Sequence, residues 1–321
     1  MDAEARVLAE LGREGYASGE AISRKLNISR SAVWKHVVKL REQGYAVEAS
    51  PRRGYRLASR PDKLLPAELA PLLDTAVIGR QIVHREEAAS TADLARQLIE
   101  RGAAEGTVVF AERQTAARGR MGRAWQTPAG KAIALSAILY PPFAPAQAPL
   151  LSLAVGLAAV RAVESVTGEL PMLKWPNDVY LNGRKLGGVL VEMAAELDRI
   201  RWAVASIGMN VNNSFKGTGL AGKATSLSLE LGRKVSRRDL AAALLNQLDQ
   251  VYGALLGEGF AWLPDAFAGL DQLRGKKVKV AVSGCEVTGI AGGVDELGRL
   301  KVKDAQGRTH AIFSGEATLS R

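Results

Sequence analysis

The sequence has few cysteine, histidine and aromatic residues for its length. Its 321 residues include one cysteine, three histidines and 5% aromatic residues. A lone Cys285 cannot form an intramolecular disulfide, and so few thiols and imidazoles argue against a metal held directly by Cys or His. We therefore expect a reduced, cytoplasmic protein without such a metal site.

Long hydrophobic runs are also absent. The longest apolar stretches, such as 150–160, fall short of the ~20 residues that a membrane span needs. Residues 1–11 alternate charged and apolar side chains at helical spacing, unlike a signal peptide. With 47% hydrophobic and 24% charged residues, the composition predicts a globular protein of two or three domains with no membrane partner.

Positive charge is in excess and concentrated in two places. The net charge is +10. Residues 29–56 carry seven lysines and arginines against Glu42 and Glu48, and residues 112–131 carry five against Glu112. Charge alone does not choose between a nucleic acid and an anionic small molecule, since many basic proteins bind neither. Two separate patches indicate two separate anionic partners.

Residues 1–57 have the pattern of a winged helix-turn-helix. Apolar spacing predicts three helices, with Ser18 and Ser29 as N-caps of the second and third and Gly44 ending the third. Residues 45–49 and 54–57 alternate like two strands around a basic turn. The candidate DNA-contacting side chains lie on the third helix and at the turn. They are Ser29, Arg30, Ser31, Trp34, Lys35, Lys39, Arg52 and Arg53.

A basic, merely solvated helix followed by an unrelated hairpin would share this pattern. The mixture of side chains favours DNA, because guanidinium and ammonium groups suit phosphates while a hydroxyl and an indole suit base edges. Arginines at the hairpin tip suit backbone or minor-groove contact.

Beyond a linker predicted at 58–66, helix and strand patterns intermix up to about residue 270. Predicted strands cover 107–111, 132–139, 186–191 and 203–211, and predicted helices cover 90–100, 150–166 and 238–256. The mixture predicts an α+β domain over 66–270 with a central, mainly antiparallel sheet. Short alternating runs with glycine turns predict an SH3-like β-barrel over 271–321. The chain is thus predicted to be a multidomain α+β protein with a winged helix-turn-helix over 1–60.

Two motifs in the predicted α+β domain are suited to anions. Arg118, Arg120 and Arg123 alternate with glycines, which predicts a flexible loop that closes over a polyphosphate, with a mobile surface loop as the alternative. The run Lys174-Trp-Pro-Asn-Asp178 breaks a strand and sets an amide beside a carboxylate. Such a pair suits a magnesium ion, a ribose or an incoming amine, although it more often caps a turn.

Two further stretches complete the set of motifs. Lys185 follows a turn at Gly183 and precedes a glycine-paired strand, where a ligand can approach the backbone closely. Its charge suits a phosphate or a carboxylate. A solvated lysine at a hairpin tip would give the same sequence pattern. Asn210 places a polar amide inside the apolar strand 206–211.

In this order and spacing the motifs resemble those of the biotin protein ligases, in particular the repressor-type members with an N-terminal winged helix. The resemblance covers the whole chain. It rests on 18–57, Ser90-Thr91, the arginine–glycine loop, Lys174-Trp-Pro-Asn-Asp178, 183–192, Gly208-Met-Asn-Val211 and Phe313-Ser-Gly-Glu316.

The resemblance implies an enzyme with a second, regulatory function. Such an enzyme forms biotinyl-5′-AMP from biotin and ATP with Mg²⁺, and transfers biotin to a lysine of a biotin carboxyl carrier protein. It also binds operator DNA as a biotin-dependent repressor of biotin synthesis genes, and forms a homodimer when the adenylate is bound.

Roles for individual residues are likewise implied by the resemblance. Biotin binding is implied for Ser90, Thr91, Ala92, Gln114, Arg118, Gly119, Arg120, Trp125, Lys185 and Gly188. Nucleotide binding is implied for Arg118, Arg120, Arg123, Lys174, Asn177 and Asn210. Catalysis is implied for Lys185, Arg118, Arg120 and Asp178, with Mg²⁺ near Asp178. Asn177 and Asp178 would place metal and nucleotide or orient the acceptor lysine.

The chain departs from the family pattern at a few positions. Ala117 and Met121 replace a glycine and an arginine of the loop, and Ala92 stands where asparagine is common. No tryptophan lies between residues 208 and 229 to stack on adenine, and Phe215 is the aromatic residue there. These departures concern retention of the adenylate and the strength of regulation rather than the chemistry.

Other functions share parts of the pattern. A non-catalytic, biotin-sensing transcription factor would not need Lys185 or the arginine loop. A lipoate-type ligase would lack the winged helix and the terminal barrel. A biotin ligase whose N-terminal module no longer regulates has the same sequence features, so that alternative stays open.

Overall fold

The computed structural model describes residues 3–13, 15–282 and 285–320. Two units are resolved by their internal contacts, the first ending at Pro71 and the second beginning at Leu72. Each unit has its own core.

Helices and a hairpin build the first unit. Its elements are α1 (Ala3–Leu11), α2 (Gly19–Leu26), α3 (Arg30–Glu42), β1 (Ala46–Ser50), β2 (Gly54–Ser59) and α4 (Pro66–Leu69). The predicted caps are confirmed, because the hydroxyls of Ser18 and Ser29 each accept a hydrogen bond from a backbone amide three residues ahead. Val33, Val37 and Leu40 are fully buried. The polar face of α3 is therefore turned outward.

The segment 58–66 is packed rather than a free linker. β2 continues to Ser59, and Leu64 and Leu65 are buried. Arg60 donates to Glu68 at 2.6 Å, and the Glu68 side chain is almost fully buried. The prolines and charges of this segment suggested a solvated connection, but its two leucines anchor it. The first unit consequently extends to Pro71.

The β1–β2 hairpin is fixed to the start of α2. Ala17 and Tyr55 exchange two backbone hydrogen bonds of 2.8 Å. At Gly54 the backbone φ is +98°, and a Cβ there would lie 2.2 Å from the carbonyl oxygen of Ala17. Only glycine fits this position.

A seven-stranded mixed sheet forms the centre of the second unit. Its strands are β3 (Gln81–Ala88), β4 (Thr107–Gln114), β5 (Ala132–Leu139), β6 (Met172–Lys174), β7 (Asp178–Leu181), β8 (Arg184–Ala195) and β9 (Ile200–Asn210). The strand order is β3-β4-β5-β9-β8-β7-β6. Only β3 and β4 pair in parallel. The predicted central, mainly antiparallel sheet is confirmed.

Five helices accompany this sheet. They are α5 (Thr91–Glu100), α6 (Ala148–Thr167), α7 (Leu227–Leu231), α8 (Arg237–Glu258) and α9 (Leu263–Ala268). With the turn before it, α6 forms a segment, Pro145–Thr167, long and apolar enough to cross a membrane by length and composition. Sequence analysis counted only uninterrupted apolar runs and therefore did not single out this segment. In its apolar window 67% of the residues are buried, and α6 packs against α8, as a core helix does.

A second, five-stranded antiparallel sheet ends the chain. It comprises β10 (Lys277–Val282), β11 (Cys285–Val294), β12 (Leu300–Lys303), β13 (Thr309–Ile312) and β14 (Glu316–Leu319). The order is β13-β12-β11-β10-β14. Within 271–282 and 285–320, no pairing of β13 with β14 closes the sheet into a barrel.

Candidate active site

A cavity of about 310 Å³ lies among β4, β5, β8, β9, the start of α5 and the arginine–glycine loop. All residues predicted to bind biotin or nucleotide line it, as does Asp178. They are Ser90, Thr91, Ala92, Gln114, Arg118, Gly119, Arg120, Arg123, Trp125, Lys174, Asn177, Lys185, Gly188 and Asn210. Residues spread over more than a hundred positions are thus brought together, although the role of each stays a prediction.

Hydrogen-bonded polar side chains form one part of the cavity. Gln114 Oε1 accepts from the backbone amide of Thr91 at 2.8 Å. Ser136 Oγ donates to Thr91 Oγ1 at 2.8 Å and lies 2.8 Å from Ser206 Oγ. Ser90 is the N-cap of α5, and its hydroxyl accepts hydrogen bonds from backbone amides of the first turn. Donors and acceptors fixed in this way suit a neutral polar ring.

A β-bulge turns Lys185 into the cavity. The pairing of β8 with β7 shifts register between Val179 and Tyr180, which leaves Leu186 as an extra residue. One extra residue reverses the alternation of side chains, so Lys185 and Gly188 lie on the same side. A Cβ at Gly188 would lie 3.6 Å from Lys185 Cε.

Lys185 and Asp178 form an ion pair that the sequence did not predict. Lys185 Nζ lies 2.6 Å from Asp178 Oδ1 and 5.7 Å from the ring centroid of Trp125. A ligand phosphate or carboxylate that binds Lys185 therefore competes with an internal carboxylate.

The arginine–glycine loop is closed on itself and tied to the C-terminal sheet. Trp125 N donates to Ala117 O at 3.0 Å, and Gly119 N donates to Arg123 O at 2.7 Å. Arg123 Nη1 donates to Glu316 Oε1 at 2.7 Å, and a second contact makes the pair bidentate. Arg123, predicted to bind the nucleotide, thus already holds a carboxylate. Glu316 lines the cavity, a position that sequence reasoning missed.

Cations outnumber carboxylates in the cavity. Burial lowers the pKa of Lys174, although Asp178 and Glu316 oppose the shift. Burial likewise lowers the pKa of Arg120. Lys174 Nζ lies 5.4 Å from the ring centroid of Tyr180. The lining cations are Arg118, Arg120, Arg123, Lys174 and Lys185. Such an excess suits a polyphosphate.

The aromatic side chains of Trp125 and Phe215 form walls of the cavity. Among the described residues, the indole Nε1 of Trp125 is buried without a hydrogen-bond partner. The ring lies against Gly208, where a Cβ would come within 2.6 Å of it. An unsatisfied buried donor costs about 1–3 kcal/mol, so this indole suits a ligand acceptor. Phe215 is buried and lines the same cavity.

Trp175 joins the cavity to the C-terminal sheet. It lines the cavity, and its Nε1 donates to Gly298 O at 3.0 Å. Trp175 belongs to the Lys-Trp-Pro-Asn-Asp motif, but its contact with Gly298 could not be predicted, because the two residues lie 123 positions apart.

The cavity offers little to a metal ion by itself. In the part of the chain that the structure describes, no group of three or more His, Cys, Asp or Glu could hold one. Its lining carboxylates, Asp178 and Glu316, are each paired with a cation. Mg²⁺ is commonly held by one or two carboxylates together with substrate phosphates. A single carboxylate such as Asp178 fits that mode.

In the first unit, the predicted DNA-contacting residues are all exposed. A groove between α3 and the hairpin is lined by Arg30, Ser31 and Trp34 among others, and Trp34 is 55% exposed. Lys39 differs, because its Nζ lies 2.6 Å from Glu4 Oε2. Its charge is partly neutralised within the unit.

The hairpin arginines are organised by Tyr16. The guanidinium of Arg53 lies 4.4 Å and that of Arg56 5.2 Å from the centroid of its ring. The Tyr16 hydroxyl donates to Glu48 at 2.7 Å. Arg53 is thus oriented by cation–π contact.

Comparison with known proteins gives matches to both units. A model of the HTH domain matches residues 4–56, and one of the biotin/lipoate A/B protein ligase family matches residues 87–212. The chain is 36% identical to the bifunctional ligase/repressor BirA of Bacillus subtilis, over 98% of this chain and 96% of that protein. Its identity to the Escherichia coli BirA is 30%, with the same coverage of each chain.

A solved structure extends the likeness. The biotin protein ligase from Aquifex aeolicus in complex with biotin and ATP superposes with a TM-score of 0.66 at 27% identity, covering 75% of this chain and 99% of that one.

Proposed function

The chain belongs to the bifunctional ligase/repressor family of biotin protein ligases, and from that membership we propose that it joins biotin to ATP and transfers biotin to a lysine of a biotin carboxyl carrier protein. One observation carries the proposal. Lys185, which the β-bulge turns inward, lines the same cavity as the loop arginines and the polar residues around Gln114.

The chemistry requires no covalent nucleophile from the protein. The carboxylate of biotin attacks the α-phosphorus of ATP and pyrophosphate leaves. The amine of the carrier lysine then attacks the acyl carbonyl and AMP leaves. The protein contributes positioning and neutralises the charge that develops on phosphorus, for which fixed cations are suited.

The hydrogen-bonded end of the cavity is suited to the biotin ring. Ser90, Thr91 and Gln114 present donors and acceptors there, with Ala92 and Gly188 beside them. The biotin tail would run along Trp125 towards Lys185. Arg118, Gly119 and Arg120 would cover the phosphate, where Lys185 and the two arginines neutralise its charge.

The nucleotide would occupy the more cationic part. Lys174 and Arg123 supply charge there, Asn210 a buried amide, and Phe215 an aromatic face for adenine. Asn177, proposed to bind the nucleotide, also donates from Nδ2 to Val189 O at 2.6 Å and would hold the turn before Asp178. Asp178 would hold Mg²⁺ that arrives with the triphosphate, and the ion would neutralise phosphate charge.

We propose that the first unit represses biotin synthesis genes. α3 would enter the major groove of the operator DNA, while Arg52 and Arg53 contact its backbone. A homodimer would form when the adenylate is bound. Since a repressor works in the compartment that holds the DNA, the protein is proposed to be cytoplasmic. The three-domain division at 1–60, 66–270 and 271–321 and an SH3-like class for the C-terminal sheet are part of the same proposal.

Incubation with biotin, ATP and Mg²⁺, followed by mass spectrometry, tests the ligase activity. We expect biotinyl-adenylate, and biotinylation of a carrier domain when one is added. An equal yield of lipoyl-adenylate from lipoic acid would favour a lipoate-type ligase. Biotin binding without any adenylate would favour a non-catalytic sensor.

A further inference from the structure

The turn that leads into Lys185 is a tight β-hairpin. Asn182 and Gly183, between β7 and β8, have φ values of +49° and +75°. Positive φ at both central residues is the geometry of a type I′ turn, which Asn-Gly favours. The bulge at Leu186 follows at once. If the pairing of β7 with β8 shifted by one residue, Lys185 would point away from the cavity.

Glu230 of α7 holds this turn from outside the hairpin. Its Oε1 accepts from Arg184 Nη2 at 2.7 Å and its Oε2 from Asn182 Nδ2 at 2.8 Å. Thr225 Oγ1 also donates to Oε1. The carboxylate side chain is only 5% exposed, so it relies on these donors rather than on water for its hydrogen bonds.

The same region pairs with the backbone of Lys185. Lys185 N donates to Lys223 O at 3.0 Å, and Thr225 N donates to Lys185 O at 2.9 Å. Ala224 lies between those two partners and lines the cavity. Lys185 is therefore held between β7 and the segment before α7.

The carboxylate of Glu230 stays ionised through its partners. Burial alone would raise its pKa, but hydrogen bonds from Thr225 and Asn182 and the charge of Arg184 outweigh it, so the pKa lies below its usual range. A buried carboxylate satisfied by three donors from two segments fixes their relative position.

We propose that Glu230 is a positioning residue for the ligase reaction: it fixes the register of the β7–β8 hairpin and thereby directs Lys185 into the cavity. The inference rests on the proposed function of Lys185. Glu230 itself touches no reacting atom.

The test compares Glu230→Ala with wild type, with Glu192→Ala as control. Glu192 lies on β8 and is ion-paired with Arg96, away from the turn. We expect kcat for biotinyl-adenylate synthesis to fall about 10- to 100-fold in Glu230→Ala, as for a misplaced reacting group. The KM for biotin should change little, because the residues around Gln114 are untouched. Glu192→Ala should behave as wild type.

A double-mutant cycle separates positioning from general stability. In a Lys185→Ala background, Glu230→Ala should change the rate by less than about threefold, because the group it positions is gone. An equal loss in both backgrounds, or a kcat of Glu230→Ala within about threefold of wild type, would overturn the proposal. If Glu230→Ala does not fold, Arg184→Gln replaces it, with a smaller loss that again vanishes in the Lys185→Ala background.

Hydrogen exchange gives a readout independent of activity. The amides of Lys185 and Thr225 should exchange faster in Glu230→Ala and not in Glu192→Ala. Unchanged protection would contradict the proposal even if the wild type makes no adenylate, in which case the proposed ligase function fails separately.

Discussion

At the scale of single residues, charge pairing defines the cavity. Asp178 already holds Lys185 at 2.6 Å, so the lysine is oriented before any substrate arrives. When substrate binds, the ammonium group of Lys185 exchanges the Asp178 carboxylate for the carboxylate of biotin as its partner. A lysine held in this way is suited to stabilise the negative charge on the reacting groups while the mixed anhydride forms.

Replacing Lys185 should affect the transition state more than substrate binding. Lys185→Ala is expected to cost roughly 2–4 kcal/mol of transition-state stabilisation, by analogy with removing one oxyanion donor. Lys185→Arg should not restore full activity, because a planar fork differs from a point charge. The measurement is kcat/KM for adenylate synthesis. A Lys185→Ala enzyme within about threefold of wild type would show that the lysine has another role.

Lys174 should make ATP use sensitive to alkaline pH. Its pKa is lowered, mainly by burial, so its charge is lost at a lower pH than that of an exposed lysine. We expect the KM for ATP to rise as pH increases through that lowered pKa. Lys174→Arg, which stays protonated, should give a flatter profile, whereas Lys301→Arg in the C-terminal sheet should not. If the KM for ATP depended on pH identically in wild type and Lys174→Arg, Lys174 would not contribute its charge to nucleotide binding.

Sequence reasoning found many of the lining residues but not their pairings. Arg118 and Lys185 stand out because they lie within glycine-rich motifs, whereas Gln114 was implied only by the family resemblance. The pairing of Arg123 with Glu316 joins residues 193 positions apart, and no local pattern encodes such a contact.

At the scale of elements, loop ordering is the expected response to the ligand. Residues 118–123 bury little apolar area to offset the entropy of ordering, and Glu316 holds them through Arg123. We expect trypsin to cleave at this loop more slowly when biotinyl-adenylate is bound. Glu316→Gln should speed cleavage without ligand. Equal sensitivity with and without adenylate would argue against closure over the ligand.

A substitution in the hairpin of the first unit should weaken DNA binding selectively. Gly54→Ala would bring a Cβ within 2.2 Å of the Ala17 carbonyl oxygen, so the hairpin must shift. Operator affinity should fall by about tenfold or more, while adenylate synthesis by the same protein stays unchanged. Unaltered operator affinity would show that hairpin placement does not matter for binding.

Sequence analysis missed the edge strand β3 and placed the ends of β8 too close together. β3 was not predicted because its run His84-Arg-Glu-Glu87 has no apolar alternation, as an edge strand with an exposed side allows. β8 was predicted at 186–191 but spans Arg184–Ala195, since the bulge breaks its alternation. The turn predicted at Gly183 is present, formed by Asn182 and Gly183.

At the scale of the whole molecule, the order of units followed from composition. A basic helical start, a mixed middle and a glycine-punctuated all-β end each have distinct periodicities. The boundary at Pro71 could not be predicted, because it depends on where Leu64 and Leu65 are buried.

Ligand-dependent DNA binding is the prediction that involves both units. A single winged helix makes few phosphate contacts and should bind weakly at physiological salt. Two copies on a palindromic site gain affinity through effective concentration. Biotin with ATP should therefore tighten operator binding about tenfold or more, which requires at least ~1.4 kcal/mol of coupling.

The check is an operator titration with and without biotin and ATP at several salt concentrations. An unchanged midpoint would show that the ligase site does not switch the first unit, whatever its affinity for DNA.

The buried α6 helix has a consequence for biosynthesis. Its principal helical partner, α8, ends at Glu258, so α6 leaves the ribosome well before its covering surface exists. At about 5–20 residues per second, translation leaves this apolar segment exposed for several seconds. During that interval we expect the apolar surface of α6 to be open to chaperone binding, until α8 is made and covers it.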